Sequence, residues 1–308
     1  GYAAATSAVS LDQDTVEIHV TPGAPGSSAR ISIEPPNVNV VVGGEVTTEW
    51  GADDVEIVRS PGSPGDPLPL RNAFTLHGHV PPGPVRKYWK LVLGMPSYAG
   101  GAIVALLGER GIAAPDEVVF ERAPVVAQTL WLHRSQPLGA IVTEMLVHSN
   151  NHSAEQLLRL VGAAASGGVG TDASGLAAAR RELRRLGVPY AGMRAYDGSG
   201  LAPDDKIAPL TLAELVAAEL RGSRGNAFLQ ALPRVGMEGT VQYHELHAAL
   251  GHARAKSGHL SGVNALAGTV QTRSHGRVTF AFVVNDPRSE SRAVYLAQDR
   301  ALDLLAEF

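Results

Sequence analysis

Apolar and polar residues alternate along the first third of the chain. Val16, Ile18 and Val20 are separated by single polar residues, and a Thr-Pro-Gly turn signal follows them. A period of two predicts a strand with one buried face, and short runs rich in valine and isoleucine recur as far as residue 80. Residues 1–95 are therefore predicted to form a β-rich domain.

The later part of this region contains a predicted loop and a predicted strand. Residues 60–69 are rich in proline, glycine and serine, which is typical of a loop. Residues 72–80 are predicted to form a strand that carries His77 and His79 on one face. Two such histidines could bind a metal ion, but exposed histidines on strands are commoner than metal ligands.

From about residue 96 the apolar residues recur with the helical period of 3.6. Five helices are predicted, with apolar stripes around Leu106, Val142, Leu158, Leu183 and Leu215. The predicted N-caps of the last three are Ser153, in a capping box with Gln156, Asp172 and Thr211.

The C-terminal part of the chain returns to a period of two. Strands are predicted over 255–263, 265–272 and 278–284, and a helix over 289–308. This order predicts an α+β fold with helices packed on an antiparallel sheet. A chain of 308 residues favours two domains, so residues 96–308 are predicted to form the second.

Composition narrows the range of functions. The net charge is −4, so no basic excess exists to attract nucleic acid, and we expect no nucleic-acid partner. The absence of cysteine excludes disulfides and suits an oxidising compartment. No apolar run approaches the roughly 20 residues of a membrane-spanning helix. The start at Gly1 lacks a signal peptide, which we interpret as a mature or truncated start.

The first candidate motif is the Ser-Asn-Asn turn at 149–151, between two predicted helices. The Ser149 hydroxyl could relay a proton between a leaving amine and a nearby lysine, and the Asn151 amide could bind a peptide backbone. Such a turn is common between helices, so the motif alone is weak.

The second candidate motif is Lys256-Ser257-Gly258, on the first predicted strand of the C-terminal meander. The lysine charge and the Ser257 hydroxyl would attract a carboxylate, and Gly258 would let a ligand approach closely. An edge strand here could also bind an extended peptide through its backbone. Lys256 and Ser257 should point to opposite faces unless the strand twists at Gly258.

Serine acyl-transfer sites with these two motifs also carry a nucleophilic S-x-x-K. The four lysines are at positions 87, 90, 206 and 256, and the residues three positions earlier are Pro84, Lys87, Pro203 and Ala253. No S-x-x-K therefore exists in these 308 residues. The sequence points to a chemistry but lacks the atom that performs it.

The order and surroundings of the two motifs resemble those of one family. The similar segments are 137–162 with HSNNHSAEQLLRL, 196–201 with YDGSGL, 232–240 with LPRVGMEGT, 255–268 with AKSGHLSGVNALAG, and 2–22. These segments occur in the right order, and the resemblance as a whole extends over nearly all 308 residues. The chain resembles the class C low-molecular-mass penicillin-binding proteins of the peptidase S13 family, which are D-alanyl-D-alanine carboxypeptidases.

The resemblance implies a penicillin-binding, transpeptidase-like (β-lactamase-like) domain preceded by a β-rich inserted domain. It implies a peptidoglycan stem peptide ending in D-Ala-D-Ala as substrate, an acyl-enzyme and binding of β-lactam antibiotics outside the cytoplasm, in the periplasm or secreted. Additional DD-endopeptidase activity is left open. No cofactor and no metal ion are implied. Segments outside this chain could associate with a membrane surface, and the oligomeric state is left open.

The resemblance also implies the roles of individual residues. The implied catalytic residues are Ser149, Asn151 and Lys256, and the implied substrate-binding residues are Ser257, Gly258 and His259. Ser257 stands where the family usually has threonine, which keeps the hydroxyl and removes a methyl group.

The part of the family that carries the nucleophile and the first strands of the sheet is missing from these residues. We therefore expect strand 278–284 to be an unpaired edge that exposes Phe280 or Phe282, and the isolated chain to be unstable unless another segment covers that edge. The alternative function is a non-catalytic relative that binds wall peptides or a partner protein, and the missing S-x-x-K favours it.

Other histidines and serines give weaker signals. His244 and His247 lie three residues apart, not at the spacing of the zinc motif H-E-x-x-H, so no zinc site is expected. His148 and His152 flank the serine turn and could line the cleft or its rim. Ser199 lies in an Asp-Gly-Ser-Gly turn without an evident base, so we do not expect it to be a nucleophile. The family resemblance implies a structural turn near the site.

Overall fold

A computed structural model describes residues 6–60, 71–115, 118–122, 124–129, 131–285 and 291–308. The chain divides into two compact units, Gly1–Trp131 and Leu132–Phe308. The predicted loop at 60–69 lies almost entirely outside the described residues. Within the described residues, no helix has both the length and the apolar character that crossing a bilayer requires.

The first unit is built mainly from β-strands. They are β1 Thr15–Thr21, β2 Arg30–Glu34, β3 Val40–Gly44, β4 Thr47–Thr48, β5 Glu56–Ser60, β6 Asn72–His77, β7 His79–Val80 and β8 Arg86–Leu91. Strand β1 pairs antiparallel with β2 and β8, β6 pairs with β3 and β5, and β4 pairs with β7. Val16, Ile18 and Val20 on β1 are fully buried, as their alternation predicts.

The predicted strand over 72–80 is divided in two at Gly78. Gly78 has φ 108°, and a Cβ atom there would lie 2.6 Å from the carbonyl oxygen of Asp54. His77 and His79 therefore belong to different strands, and His79 Nδ1 lies 3.0 Å from Asp54 Oδ1. No group of three metal-ligating side chains is found in the described part of the chain.

Helix α1, Met95–Glu109, follows β8 and is part of the first unit. Its buried residues include Tyr98 and Ala102, whereas Ile103 of the predicted apolar stripe is 59% exposed. Tyr98 is fully buried in the core of the β-rich unit, and its carbonyl accepts a hydrogen bond from Asn37. The two units therefore divide after residue 131 rather than after residue 95, because the change to a helical period marks a new element and not a new core.

The second unit combines six helices with a three-stranded sheet among the described residues. Its elements are α2 Leu138–His148, α3 Asn151–Ser166, α4 Asp172–Leu186, α5 Pro209–Arg221, α6 Gly225–Ala231, β9 Ala253–Leu260, β10 Val263–Gln271, β11 Arg277–Asn285 and α7 Ser291–Glu307. The sheet is an antiparallel meander in the order β11-β10-β9, and α5 and α7 pack against it. Helices on an antiparallel sheet are the predicted architecture.

Strand β11 lies at an edge of this sheet among the described strands. The expectation that Phe280 or Phe282 would be exposed is wrong. Phe280 is only 5% exposed and belongs to the core together with Leu266 and Leu302, and Phe282 packs against that core. Both rings lie on the covered face of the strand. What β11 leaves open at this edge of the described sheet is therefore its backbone and not an aromatic side chain.

Helix starts differ from the sequence predictions by one to three residues in the second unit. The N-cap of α4 is Thr171, not Asp172, and its hydroxyl accepts a hydrogen bond from the N–H group of Ser174. Helix α5 begins at Pro209, before the predicted cap Thr211. Proline suits the first turn of a helix because the missing N–H group has no partner there in any case.

Candidate active site

Ser149 ends α2 in a backbone conformation that is rare for serine. Its φ and ψ angles are 54° and 50°, in the left-handed region, and its N–H group donates to the carbonyl of Met145. A residue with a Cβ atom pays roughly 1–2 kcal/mol for this conformation. Strain of this kind clusters at functional sites, and here it turns the chain sharply from α2 into α3.

Asn150 forms the N-cap of α3. Its Oδ1 accepts a hydrogen bond of 2.9 Å from the N–H group of Ser153. The predicted cap, Ser153, is therefore the donor in this contact, because α3 begins three residues earlier than the capping-box pattern indicates. Asn151 is the first residue of α3 and is half-buried. The strained turn and the cap together fix the start of α3 next to Ser149.

Lys256 contacts Ser149, although the two residues lie 107 positions apart in the sequence. Its Nζ atom donates to Ser149 Oγ at 2.8 Å and to the carbonyl oxygen of Ser257 at 2.5 Å. Burial of the side chain lowers the pKa of the Lys256 ammonium group from its usual value near 10.5 to about 8. Because Ser149 Oγ accepts from the lysine, the proton of the Ser149 hydroxyl remains free for another acceptor.

Ser257 is the next residue on β9 and makes a different contact. Its Oγ atom lies 2.9 Å from Oγ1 of Thr240. Two adjacent residues of one strand thus place an ammonium group and a hydroxyl group next to Ser149 and Thr240. Sequence reasoning did not single out Thr240, although it lies within the GMEGT segment that carries part of the family resemblance.

The segment that carries Thr240 is held against the end of α2. Gly239 has φ 51°, and a Cβ atom there would lie 2.0 Å from the carbonyl oxygen of Val147. Only glycine allows this approach. On the other side of Thr240, Val241 is fully buried in the core. Gly239 and Val241 therefore fix the position of Thr240 close to the turn that contains Ser149.

Gly258 and His259 continue β9, which is the other edge of the described sheet. Both residues are exposed. A Cβ atom at Gly258 would lie 3.6 Å from Ala265 Cβ, an ordinary contact, so the fold described here does not require glycine at this position. His259 Nδ1 lies 2.8 Å from Asn264 Oδ1 on β10.

The Asp-Gly-Ser-Gly turn is held by α3. Glu155 accepts hydrogen bonds from the N–H groups of Gly198 at 3.1 Å and Ser199 at 2.9 Å. Asp197 accepts from the N–H groups of Gly200 and Ala202. Carboxylates that bind backbone N–H groups stabilise a turn, so this geometry agrees with the structural turn that the resemblance implies.

Helix α7 holds the histidine segment through two carboxylates. His244 Nδ1 lies 2.5 Å from Asp299 Oδ1, with both side chains buried, and the N–H group of His247 donates to Asp303. The pair His244 and His247 is thus structural. Near the serine turn, His148 is exposed and its Nε2 lies 3.3 Å from Glu144, whereas His152 is half-buried.

Comparisons with known proteins found similar sequences and a similar fold. The model of the D-Ala-D-Ala carboxypeptidase 3 (S13) family matches residues 1–307. Carboxypeptidase DacB of Mycolicibacterium smegmatis is 32% identical over 216 residues, which are 68% of this chain and 44% of the relative. The D-alanyl-D-alanine carboxypeptidase of an Actinomadura species is 27% identical over 326 residues, which cover 100% of this chain and 58% of the relative.

A solved structure shows the same fold. Penicillin-binding protein 4 (dacB) from Haemophilus influenzae, in complex with a β-lactam, matches with a TM-score of 0.74 at 21% identity. The match covers 99% of this chain and 73% of that chain. This likeness confirms the predicted penicillin-binding α+β fold. The chain spans about half the length of the curated relatives it matches.

Proposed function

The chain belongs to the D-Ala-D-Ala carboxypeptidase 3 (S13) family, and from this premise we propose that the protein is a serine-type D-Ala-D-Ala carboxypeptidase. Its substrate would be a peptidoglycan stem peptide, cleaved through an acyl-enzyme. The observation that carries the proposal is the 2.8 Å hydrogen bond between Lys256 Nζ and Ser149 Oγ, two groups that lie 107 positions apart in the chain.

The chemistry needs a nucleophilic serine, and no S-x-x-K motif that would identify this serine occurs among these 308 residues. The oxygen of the nucleophilic serine attacks the carbonyl carbon of the penultimate D-Ala, the C–N bond breaks, and the leaving D-Ala amine gains a proton. Ser149 is the proposed relay for that proton, since its hydroxyl accepts from Lys256 and can donate to the amine. Water then hydrolyses the ester and restores the nucleophile.

Substrate binding is assigned to the edge strand β9 and the start of α3. The Lys256 charge and the Ser257 hydroxyl would bind the terminal carboxylate, while Asn151 would bind the peptide backbone. The exposed edge at Gly258 and His259 would pair with an extended peptide. The carboxylate of a β-lactam would bind the same groups, and endopeptidase cleavage stays an open alternative to carboxypeptidase cleavage.

The remaining assignments follow from this substrate. Peptidoglycan lies outside the cytoplasm, so the proposed location is the periplasm or the cell surface, with β-lactam antibiotics as inhibitors. No nucleic-acid partner is proposed, because the net charge of −4 offers no excess of positive charge. Peripheral association with a membrane would depend on segments outside this chain.

A non-catalytic relative is the second candidate function. The absence of S-x-x-K from the 308 residues favours it, because a cleft that retains Ser149, Lys256 and Ser257 could still bind a wall peptide or a partner protein without forming an acyl-enzyme.

Intact mass spectrometry of the protein isolated from its source separates the two candidates. A single penicilloyl adduct after incubation with benzylpenicillin, localised by peptide mapping to one serine, supports the carboxypeptidase. Unchanged mass of a protein that nevertheless binds a D-Ala-D-Ala peptide supports the binding protein. Unchanged mass without peptide binding contradicts both.

A further inference from the structure

The Thr240 hydroxyl group lies at the site, but the proposed chemistry gives it no role. Its Oγ1 lies 2.9 Å from Ser257 Oγ, and the side chain is exposed. The fold around Thr240 is held by other residues, namely the buried Val241 and the close approach of Gly239 to Val147. The Thr240 hydroxyl is therefore not needed to satisfy the core, and its contact with Ser257 calls for a separate explanation.

Ser257 has more rotational freedom than a threonine would have. A single heavy atom on Cβ leaves three χ1 rotamers open, whereas a second heavy atom restricts them. The contact with Thr240 selects one of these rotamers. Lys256 Nζ, which donates to the carbonyl oxygen of Ser257, keeps a positive charge beside it.

The direction of the hydrogen bond between the two hydroxyl groups determines what Ser257 can bind. Each hydroxyl has one proton to donate and two lone pairs that accept. If Ser257 donates to Thr240, no Ser257 proton remains for a ligand. If Thr240 donates to Ser257, the Ser257 proton is available to an anion, and accepting a hydrogen bond strengthens the hydroxyl as a donor.

We propose that Thr240 is a positioning residue for carboxylate recognition. Its hydroxyl donates to Ser257 Oγ, holds Ser257 in one rotamer and leaves the Ser257 proton directed at the terminal carboxylate of the ligand. This inference rests on the proposed function, because it takes the ligand to be a peptide with a free carboxyl terminus.

Binding of two matched peptides by calorimetry tests the inference. The probes are diacetyl-L-lysyl-D-alanyl-D-alanine and its C-terminal amide, and the readout is the ratio of their dissociation constants. We expect the wild-type chain to prefer the acid. The Thr240→Val variant keeps the shape of threonine without its hydroxyl, and its preference should fall by roughly fivefold to tenfold, the effect of one lost hydrogen bond. Thr240→Ser is the matched control and should keep the preference.

A double variant separates positioning from a general structural effect. In Thr240→Val combined with Ser257→Thr, the added methyl group restricts χ1 again, so part of the preference for the acid should return. An unchanged preference in Thr240→Val overturns the inference alone. Loss without any return in the double variant overturns it as well, since Thr240 would then act by another route. A wild-type protein that melts cooperatively but binds neither peptide overturns the proposed function and the inference with it.

Discussion

At the scale of single residues, Ser149 and Lys256 each hold an unfavourable state that their contact stabilises. Ser149 occupies the left-handed backbone region, and Lys256 holds an ammonium group in a half-buried position. Both states cost free energy. The hydrogen bond between them orients the serine hydroxyl and gives the lysine an acceptor. Residues in energetically unfavourable states are expected at a functional site, because there the residues are selected for function and not for stability.

The lowered pKa of Lys256 predicts the pH dependence of ligand binding. Below about pH 8 the Lys256 ammonium group is charged and attracts a carboxylate; above it the charge is lost. Binding of a D-Ala-D-Ala peptide should therefore weaken as the pH rises through about 8, well below the usual titration of lysine near 10.5. Calorimetric titration of the peptide on either side of this pH measures the effect.

The matched control for this prediction is Lys256→Arg. Arginine stays charged throughout the range, so its peptide affinity should not change with pH around 8, whatever its absolute value. A wild-type chain whose peptide affinity is the same on both sides of pH 8 would contradict the assignment of Lys256 as the group that binds the carboxylate.

The family resemblance implied that Ser149 and Lys256 belong to one site, but nothing in the sequence predicted the contact of Ser257 with Thr240. The first follows from two motifs whose order in the chain resembles a known family. The second depends on Gly239, which brings its segment against Val147. A close approach of this kind is a property of the packed elements, and no local pattern around Thr240 encodes it. The roles of all six predicted site residues stay predictions, namely Ser149, Asn151, Lys256, Ser257, Gly258 and His259.

At the scale of elements, the site depends on how α2, β9 and the segment between α6 and β9 pack together. Gly239 and Gly258 both lie in this region, but they differ in the space that the fold leaves for a side chain. A side chain at Gly239 collides with the backbone of Val147, whereas a side chain at Gly258 meets only an ordinary contact with Ala265. The first glycine is required by the fold, and the second is available for function.

This difference predicts opposite results for two alanine substitutions. Gly239→Ala should destabilise the chain by about 2–4 kcal/mol, because backbone strain and a steric clash combine. Gly258→Ala should leave the melting temperature unchanged and weaken binding of the D-Ala-D-Ala peptide, since the methyl group would occupy the path of the ligand. Differential scanning fluorimetry and peptide calorimetry measure the two effects, and each variant is the control for the other. Equal melting temperatures of the two variants would contradict the steric argument.

The type of most elements could be predicted from periodicity, while their ends and their packing partners could not. The alternation of Val16, Ile18 and Val20 predicted β1, and the meander of the second unit was predicted in the correct order. Helix α6 was missed because its seven residues are too few to show a helical period. The N-cap of α3 is Asn150 and not Ser153, because Ser149 ends α2 and leaves Asn150 at the position where a cap is needed.

At the scale of the whole molecule, the apolar surface of α2 supports the expectation that the isolated chain is unstable. None of the residues of α2 is buried within the described part of the chain, although most of them are apolar, and Leu138 is 59% exposed. The backbone of β11 is open at the edge of the described sheet. Exposed apolar patches and open strand edges both promote association.

We therefore predict that the isolated 308-residue chain self-associates through α2. Leu138→Gln should reduce the average mass seen by sedimentation velocity, with little loss of stability because the side chain is already exposed. Leu296→Gln on α7 is the matched control: Leu296 is 48% exposed but lies on a helix that packs against the sheet, so this change should leave self-association unaltered. A wild-type chain that sediments as a monomer and melts cooperatively at high temperature would contradict both the predicted association and the predicted instability.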